Sequence, residues 1–305
     1  MCGCVSHGAP EWVCGVLVLC ASAAIAADAE PSHSGRLLSE WLADVRCSSG
    51  VTVVGAPNPP KDAIRAMGTN AIPTLLKWIS YEPSLSDKFP LAAYVPHPWR
   101  WHTLNPDELA HTAPSGFRFL GSMALPAIPE LVRLARTSYG PDRAERCAVA
   151  LAVIGPETIP NLLSLAANGP PWSRYWAVSA LEFFSRKPEG VATIPVLMKC
   201  LGDTNKDYSP SGPASLILLN LLETSAAATL PVLTNALRSP SPGTRLNTIG
   251  CLQLFQSENP TNLPPSTASA FRAAMHDPDA AVRSIATNIL RQMGQWDSRS
   301  ANQKD

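Results

Sequence analysis

Trp99, Arg100 and Trp101 set two indoles around one guanidinium, the combination that binding hot spots favour. His97, His102 and His111 lie close by with Asp107, so one short stretch also holds four potential metal ligands. Their spacing, H-x4-H-x8-H, gives no helical i, i+4 histidine pair and no cysteine joins them, so they read as polar loop histidines rather than a zinc site. Farther on, Asp203-Thr204-Asn205-Lys206-Asp207 places oxygens where a calcium loop would begin. Tyr208 then replaces the required glycine and Ala214 the bidentate glutamate, which leaves an acidic corner. Glu145 with Arg143 and Arg146, and Glu182 in its own segment, read as solvated helix faces. A G-x-S-x-G elbow, a G-x-x-x-x-G-K-[ST] phosphate loop and an H-E-x-x-H helix are all missing from the sequence. The sequence thus nominates no catalytic residue, no metal site and no cofactor, and its candidate binding residues are Trp99, Arg100 and Trp101.

What must position them is a repeat. A small residue, then Ile or Leu, then Pro recurs at Ala71-Ile72-Pro73, Ala124-Leu125-Pro126, Thr158-Ile159-Pro160, Thr193-Ile194-Pro195 and Thr229-Leu230-Pro231, with Asn262-Leu263-Pro264 a weaker sixth copy. After Pro126 the prolines step by 34, 35, 36 and 33 residues. Glycine stands five positions before the proline at Gly68, Gly121, Gly155 and Gly190. Glycine ends one helix by accepting a left-handed conformation, and proline is tolerated in the first turn of the next, where N–H groups lack partners anyway. Each period therefore predicts helix, tight corner, helix. Ile159, Leu162, Leu163 and Leu165 fall at helical spacing in one member, as do Ala144, Cys147, Ala148, Leu151 and Ile154 in its neighbour. Neither stripe can be buried alone, so the pairs must stack into an all-α solenoid of about six helix pairs.

The last unit states the pattern most fully: a helix over 270–276, a cap and start at Asp277-Pro278, then a helix over 280–294. Here the chain resembles the HEAT-repeat family, in the short bacterial form whose second helix reads D-P-x-x-x-V-R-x-x-A-x-x-x-L. Asp277, Pro278, Val282, Arg283, Ala286 and Leu290 match in register. The resemblance covers roughly residues 61–294 and implies an α-solenoid whose concave face binds another macromolecule. It also implies an alternative, since the bilin lyases use the same short repeats: a lyase-type enzyme or a subunit associated with one. Corners such as Asn168-Gly169-Pro170-Pro171 depart from the pattern by lacking the usual aspartate.

Domain organisation follows. Pro73 to Pro126 spans 53 residues, too long for one period, which predicts an inserted loop over 81–115 carrying the Trp-Arg-Trp triplet. Its aromatics either plug an end of the core or meet a partner. Residues 28–60 form an N-terminal segment with one helix around Gly35 to Arg46, 61–294 the solenoid, and 295–305 a polar tail. Residues 12–27 are apolar and end in Ala24-Ile25-Ala26 before Asp28, the shape of a cleaved signal peptide over 1–27, although the region before it lacks Lys and Arg. With that leader removed, no apolar run reaches the roughly twenty residues of a membrane span. Cys147, Cys200 and Cys251 lie in apolar helical patterns and read as small buried hydrophobes.

The 24 basic and 24 acidic residues cancel, so no net field gathers nucleic acid. The expectation is an exported, periplasmic or extracellular, non-catalytic scaffold with a protein partner. Protein recovered from its native host is expected to begin near Ala27 by N-terminal sequencing; an intact Met1 would overturn export.

Overall fold

The computed structural model describes residues 29–47, 58–82, 104–203, 205, 207–258, 264 and 267–294. A two-residue hairpin, β1 (Ser32–His33) and β2 (Arg36–Leu37), leads into α1 (Leu38–Cys47). Then follow α2 (Pro59–Met67), α3 (Ile72–Ile79), α4 (Pro106–Leu120), α5 (Ile128–Arg136), α6 (Pro141–Ile154), α7 (Ile159–Asn168) and α8 (Pro171–Ala180). The series ends with α9 (Ile194–Cys200), α10 (Ser211–Ala236), α11 (Pro242–Glu258), α12 (Ala268–Ala274) and α13 (Ala280–Gln292). Short 3-10 segments join most partners.

Helices α2, α4, α6, α8, the first half of α10, α11 and α13 form one layer, and α3, α5, α7, α9, the second half of α10 and α12 form the other. Helices pack on chain neighbours and on the next member of their own layer, for instance α6 on α8 and α5 on α7. The described chain is an all-α solenoid of six helix pairs and a closing helix. A single apolar core runs its length from Leu38 to Leu290, with Phe117, Phe184, Phe255 and Phe271 among the largest side chains wholly inside. Burial pushes the Cys147 thiol up to about 12 and that of Cys251 to about 11, and raises that of Cys200, so these cysteines act as small core hydrophobes.

The corners explain the repeat more closely than proline alone. Thr158 is fully buried, and its hydroxyl donates to the carbonyl of Leu151 (2.8 Å) in the last turn of α6 and to that of Gly155 (2.7 Å), which also accepts from Thr158 N. The Thr193 hydroxyl donates to Gly190 at 2.6 Å within its own 3-10 segment, that of Thr229 to Ser225 at 3.0 Å and Leu221 at 3.3 Å, and that of Thr267 to Pro264 at 2.7 Å. Ala71 and Ala127 fill the position in the first two units, equally buried but without the hydroxyl.

Several sequence expectations shift by a turn. The second corner uses Ala127-Ile128-Pro129 instead of Ala124-Leu125-Pro126, because its 3-10 segment, Gly121–Ala127, is longer than Gly68–Ala71 by one turn of three residues. The sixth corner is set by Thr267, not by Leu263-Pro264; Pro264 instead supplies the acceptor carbonyl. Gly68 and Gly121 adopt the left-handed φ expected of them. Gly190 does not; a Cβ there would lie 2.4 Å from the Phe184 carbonyl oxygen, so close backbone approach is what excludes a side chain. Before Pro231 the glycine is missing, Ala226 standing in its place, and the corner shrinks to a kink at Ser225 (φ −145°, ψ 46°) inside the continuous run of α10.

The insert is shorter than its sequence reading. Residues 106–115 belong to α4, started by Asn105, which accepts from Glu108 N while the Glu108 carboxylate accepts from Asn105 N. Pro114 and Gly116 hid this helix in the sequence. Gly116 is no turn residue, since a Cβ there would meet the Leu75 side chain at 2.5 Å, and its absence lets α4 lie close on α3. The solenoid likewise opens at Pro59, capped by Asn58, rather than at residue 61.

At the far end, the cap of α13 is Asp279, which accepts from Ala281 and Val282 N, and not Asp277. Asp277 instead forms a two-pronged ion pair with Arg245 at 2.6 and 3.0 Å, both side chains nearly buried. Burial pushes its carboxyl upward, but the Arg245 guanidinium and the Asp279 N–H outweigh this and hold it below the usual aspartate range.

Thr158→Val keeps the shape of the corner and removes the side-chain donor to the buried Leu151 carbonyl. It is expected to lower stability by about 1–3 kcal/mol in urea unfolding, with Thr158→Ser close to the parent. Equal stability of the valine variant would show the hydroxyl to be incidental.

Candidate functional site

Trp99, Arg100 and Trp101, together with His97 and His102, lie outside the described residues. The stretch that carries them leaves α3 at Tyr81-Glu82 and returns at Leu104-Asn105, and both ends sit against the layer that contains α4 and α6. Glu82 is 3.2 Å from Arg143 on α6. Arg146, one turn on, donates to the carbonyls of Ile79 (3.4 Å) and Tyr81.

Arg146 therefore corrects the sequence reading of a solvated helix face, for only 2% of its surface is exposed. It sits at the C-terminal end of α3, where a cation meets the orphan carbonyls of a helix. Burial lowers the Arg146 pKa, while Asp142, Asp107 and Glu82 oppose that shift. Its Nε and Nη1 remain without hydrogen-bond partners.

Beside it lie the titratable groups of α4 and α6. His111 is 3.7 Å from Asp107, one helical turn away, and both are exposed. Glu145 is half-buried, and burial raises its pKa; Asp142 adds to that rise, whereas the charges of His111 and Arg146 pull it down. Asp107, Glu108, His111 and Thr112 line a pocket of about 370 Å³. Among the described residues no three His, Cys, Asp or Glu side chains converge as a metal-binding group. Glu182 stays exposed. The acidic corner is spent internally: Asp203 pairs with Arg174 and accepts from Asn205 N, and Asn205 accepts from Asp207 and Tyr208 N.

A second feature was missed in the sequence. On α8, Trp172, Tyr175 and Trp176 recur at the spacing of one helix face, and Tyr208 joins them from the corner before α10. Trp172 and Tyr208 meet edge to face at 6.4 Å, Tyr175 and Tyr208 at 6.0 Å, and Tyr175 and Trp176 at 5.1 Å. The i, i+3, i+4 pattern of aromatics behind Pro171 was the available signal.

The same layer continues into exposed leucines. Leu216 on α10 is 47% exposed, and Leu246 and Leu254 on α11 are 37% and 55% exposed. The Cys251 thiol donates to the Ser215 carbonyl at 3.6 Å, which sets the turn bearing Leu216 beside the turn bearing Leu254. From α8 to α11 one layer thus carries half-buried aromatics, of which Trp176 packs against the core, and then exposed leucines.

No family model matches the sequence. No curated protein matches it either. Among solved structures it is similar to a chain in one titled "Kap95:Nup1 complex", at 13% identity and a TM-score of 0.42, over 85% of this chain and 34% of that one. This protein thus spans about a third of the length of the chain it matches.

The raised Glu145 pKa means that the folded chain holds the proton more tightly than the unfolded chain does. Charging Glu145 therefore costs folded-state stability above its folded pKa, and the cost vanishes below the unfolded value of about 4.3. Glu145→Gln is expected to raise the Tm at pH 7, by an amount that shrinks to zero as pH falls through that range. A lowered Tm at pH 7 would show that Glu145 is held by its cations.

Proposed function

We propose that this chain is a HEAT-like repeat scaffold, of the short repeat form matched at Asp277 to Leu290, that binds a protein partner along the outer side of the layer running from α8 to α11. The observation that carries this is the row of half-buried aromatics and exposed leucines on consecutive helices. Scattered exposed leucines are ordinary, but a row of them beside an aromatic cluster has the composition of an interface core. A stack of stitched helices holds such a row rigid, so little ordering entropy is lost when a partner meets it. Trp99, Arg100 and Trp101 are proposed as a further anchor, because the two described ends of their segment abut the same layer. Export to the periplasm or beyond remains part of this proposal through the apolar leader.

The enzyme reading has one observation on its side, the approach of Asp107, His111 and Glu145 near a pocket. The exposure of Asp107 and His111 favours a surface over a reaction chamber.

The test is cross-linked capture from native extract with residues 28–305, run beside a Leu216→Glu/Leu254→Glu variant and a Trp99→Ala/Trp101→Ala variant. A defined protein captured by the parent is expected to be lost from the leucine variant while its circular dichroism is unchanged. Loss only from the tryptophan variant would move the site to the insert. Capture of the same protein by both variants would overturn both surfaces.

A further inference from the structure

Between the second half of α10 and α12, neighbours in one layer, the structure leaves an open cleft of about 560 Å³. It exists because the facing turns carry small side chains: Ala226 and Ala227 follow the kink at Ser225, and Ser269 and Ala270 open α12. Leu230, Pro231 and Pro264 complete a mainly apolar lining. Among the described residues no acid lines the cleft, and the one charged lining residue is Arg238, just past the end of α10. Among the described residues no carboxylate pairs with Arg238. Asn235, one turn earlier, supplies a further polar group on the same side.

Clefts of this size with apolar walls and few polar groups are typical of small-ligand sites. An unpaired guanidinium at the edge selects for an anion that presents two oxygens in a plane. We propose that this cleft binds a carboxylate carried on an apolar body, the body lying against Leu230, Pro231 and Ala270 and the carboxylate meeting Arg238. The site is on the layer opposite the aromatic and leucine row, so it stands independently of the scaffold reading. The same chemistry is offered by a free carboxylic acid and by the C-terminus of a peptide ending in apolar residues.

The experiment is calorimetric titration of the full chain with decanoate, decanol and decylammonium below their aggregation limits, and with a peptide ending in Leu-Leu as free acid and as amide. Decanoate is expected to bind at least about tenfold more tightly than the other two decyl compounds, as a charge-assisted contact requires. Arg238→Gln should abolish that discrimination, and Ala227→Phe should abolish binding by filling the cleft. Tighter binding of the free-acid peptide than of decanoate would assign the site to a protein C-terminus, with the same dependence on Arg238. Equal binding of all three decyl compounds, no binding of any ligand, or decanoate binding unchanged in Arg238→Gln would overturn the proposal. Should Ala227→Phe fail to fold, the Arg238→Gln comparison decides alone.

Discussion

Every helix that ends inside this stack leaves carbonyl oxygens pointing at a dry neighbour, and satisfying them is the constraint on which the rest depends. Two sets of donors meet it. Within a unit, a buried threonine hydroxyl reaches back into the last turn of the preceding helix at two corners, as Thr158 does for Leu151 and Thr229 for Leu221. Between units, a polar residue in the first turns of one helix reaches back to the end of a helix two units upstream. Arg146 donates to Ile79, Ser173 to Ala135 at 2.6 Å, and Asn247 to Leu201 at 2.7 Å. Apolar burial drives the stacking, but these bonds fix where each unit sits on the last.

That division of labour separates structural polar groups from those left for function. Arg146, Arg174, Asp203, Arg245 and Asp277 are striking chemically only until their partners are named, after which each belongs to a helix end or an ion pair between units. What remains is what no carbonyl claims: the aromatics of α8, the leucines of α10 and α11, the histidine and carboxylates of α4, and Arg238. Function in a repeat of this kind is therefore sought among the side chains the stack does not consume.

Much of the architecture was legible because proline, glycine and a 3.6-residue apolar stripe recur with a period close to 35 residues. Register was less legible, since an added 3-10 turn at Gly121–Ala127 preserves the look of the motif while moving its true position to Pro129. The helix α4 escaped because Pro114 and Gly116 both read as breakers, yet Gly116 marks close packing on Leu75. Arg146 was invisible for another reason. Charge in a sequence signals solvent, and nothing in DRAERC shows that the end of α3, sixty-odd residues earlier, lies above that side chain. The aromatic row was readable from its spacing, whereas the leucines became a surface only once the buried face of α11 was known.

The kink at Ser225 has a mechanical meaning. In the first four units a 3-10 segment of three to seven residues separates the two helices. In α10 a single residue, Ser225, leaves the helical φ/ψ region between halves that lie in different layers. The change of direction there is concentrated on one pair of dihedral angles. A small rotation at Ser225 would therefore swing the second half of α10 as a lever, and with it one wall of the cleft against α12.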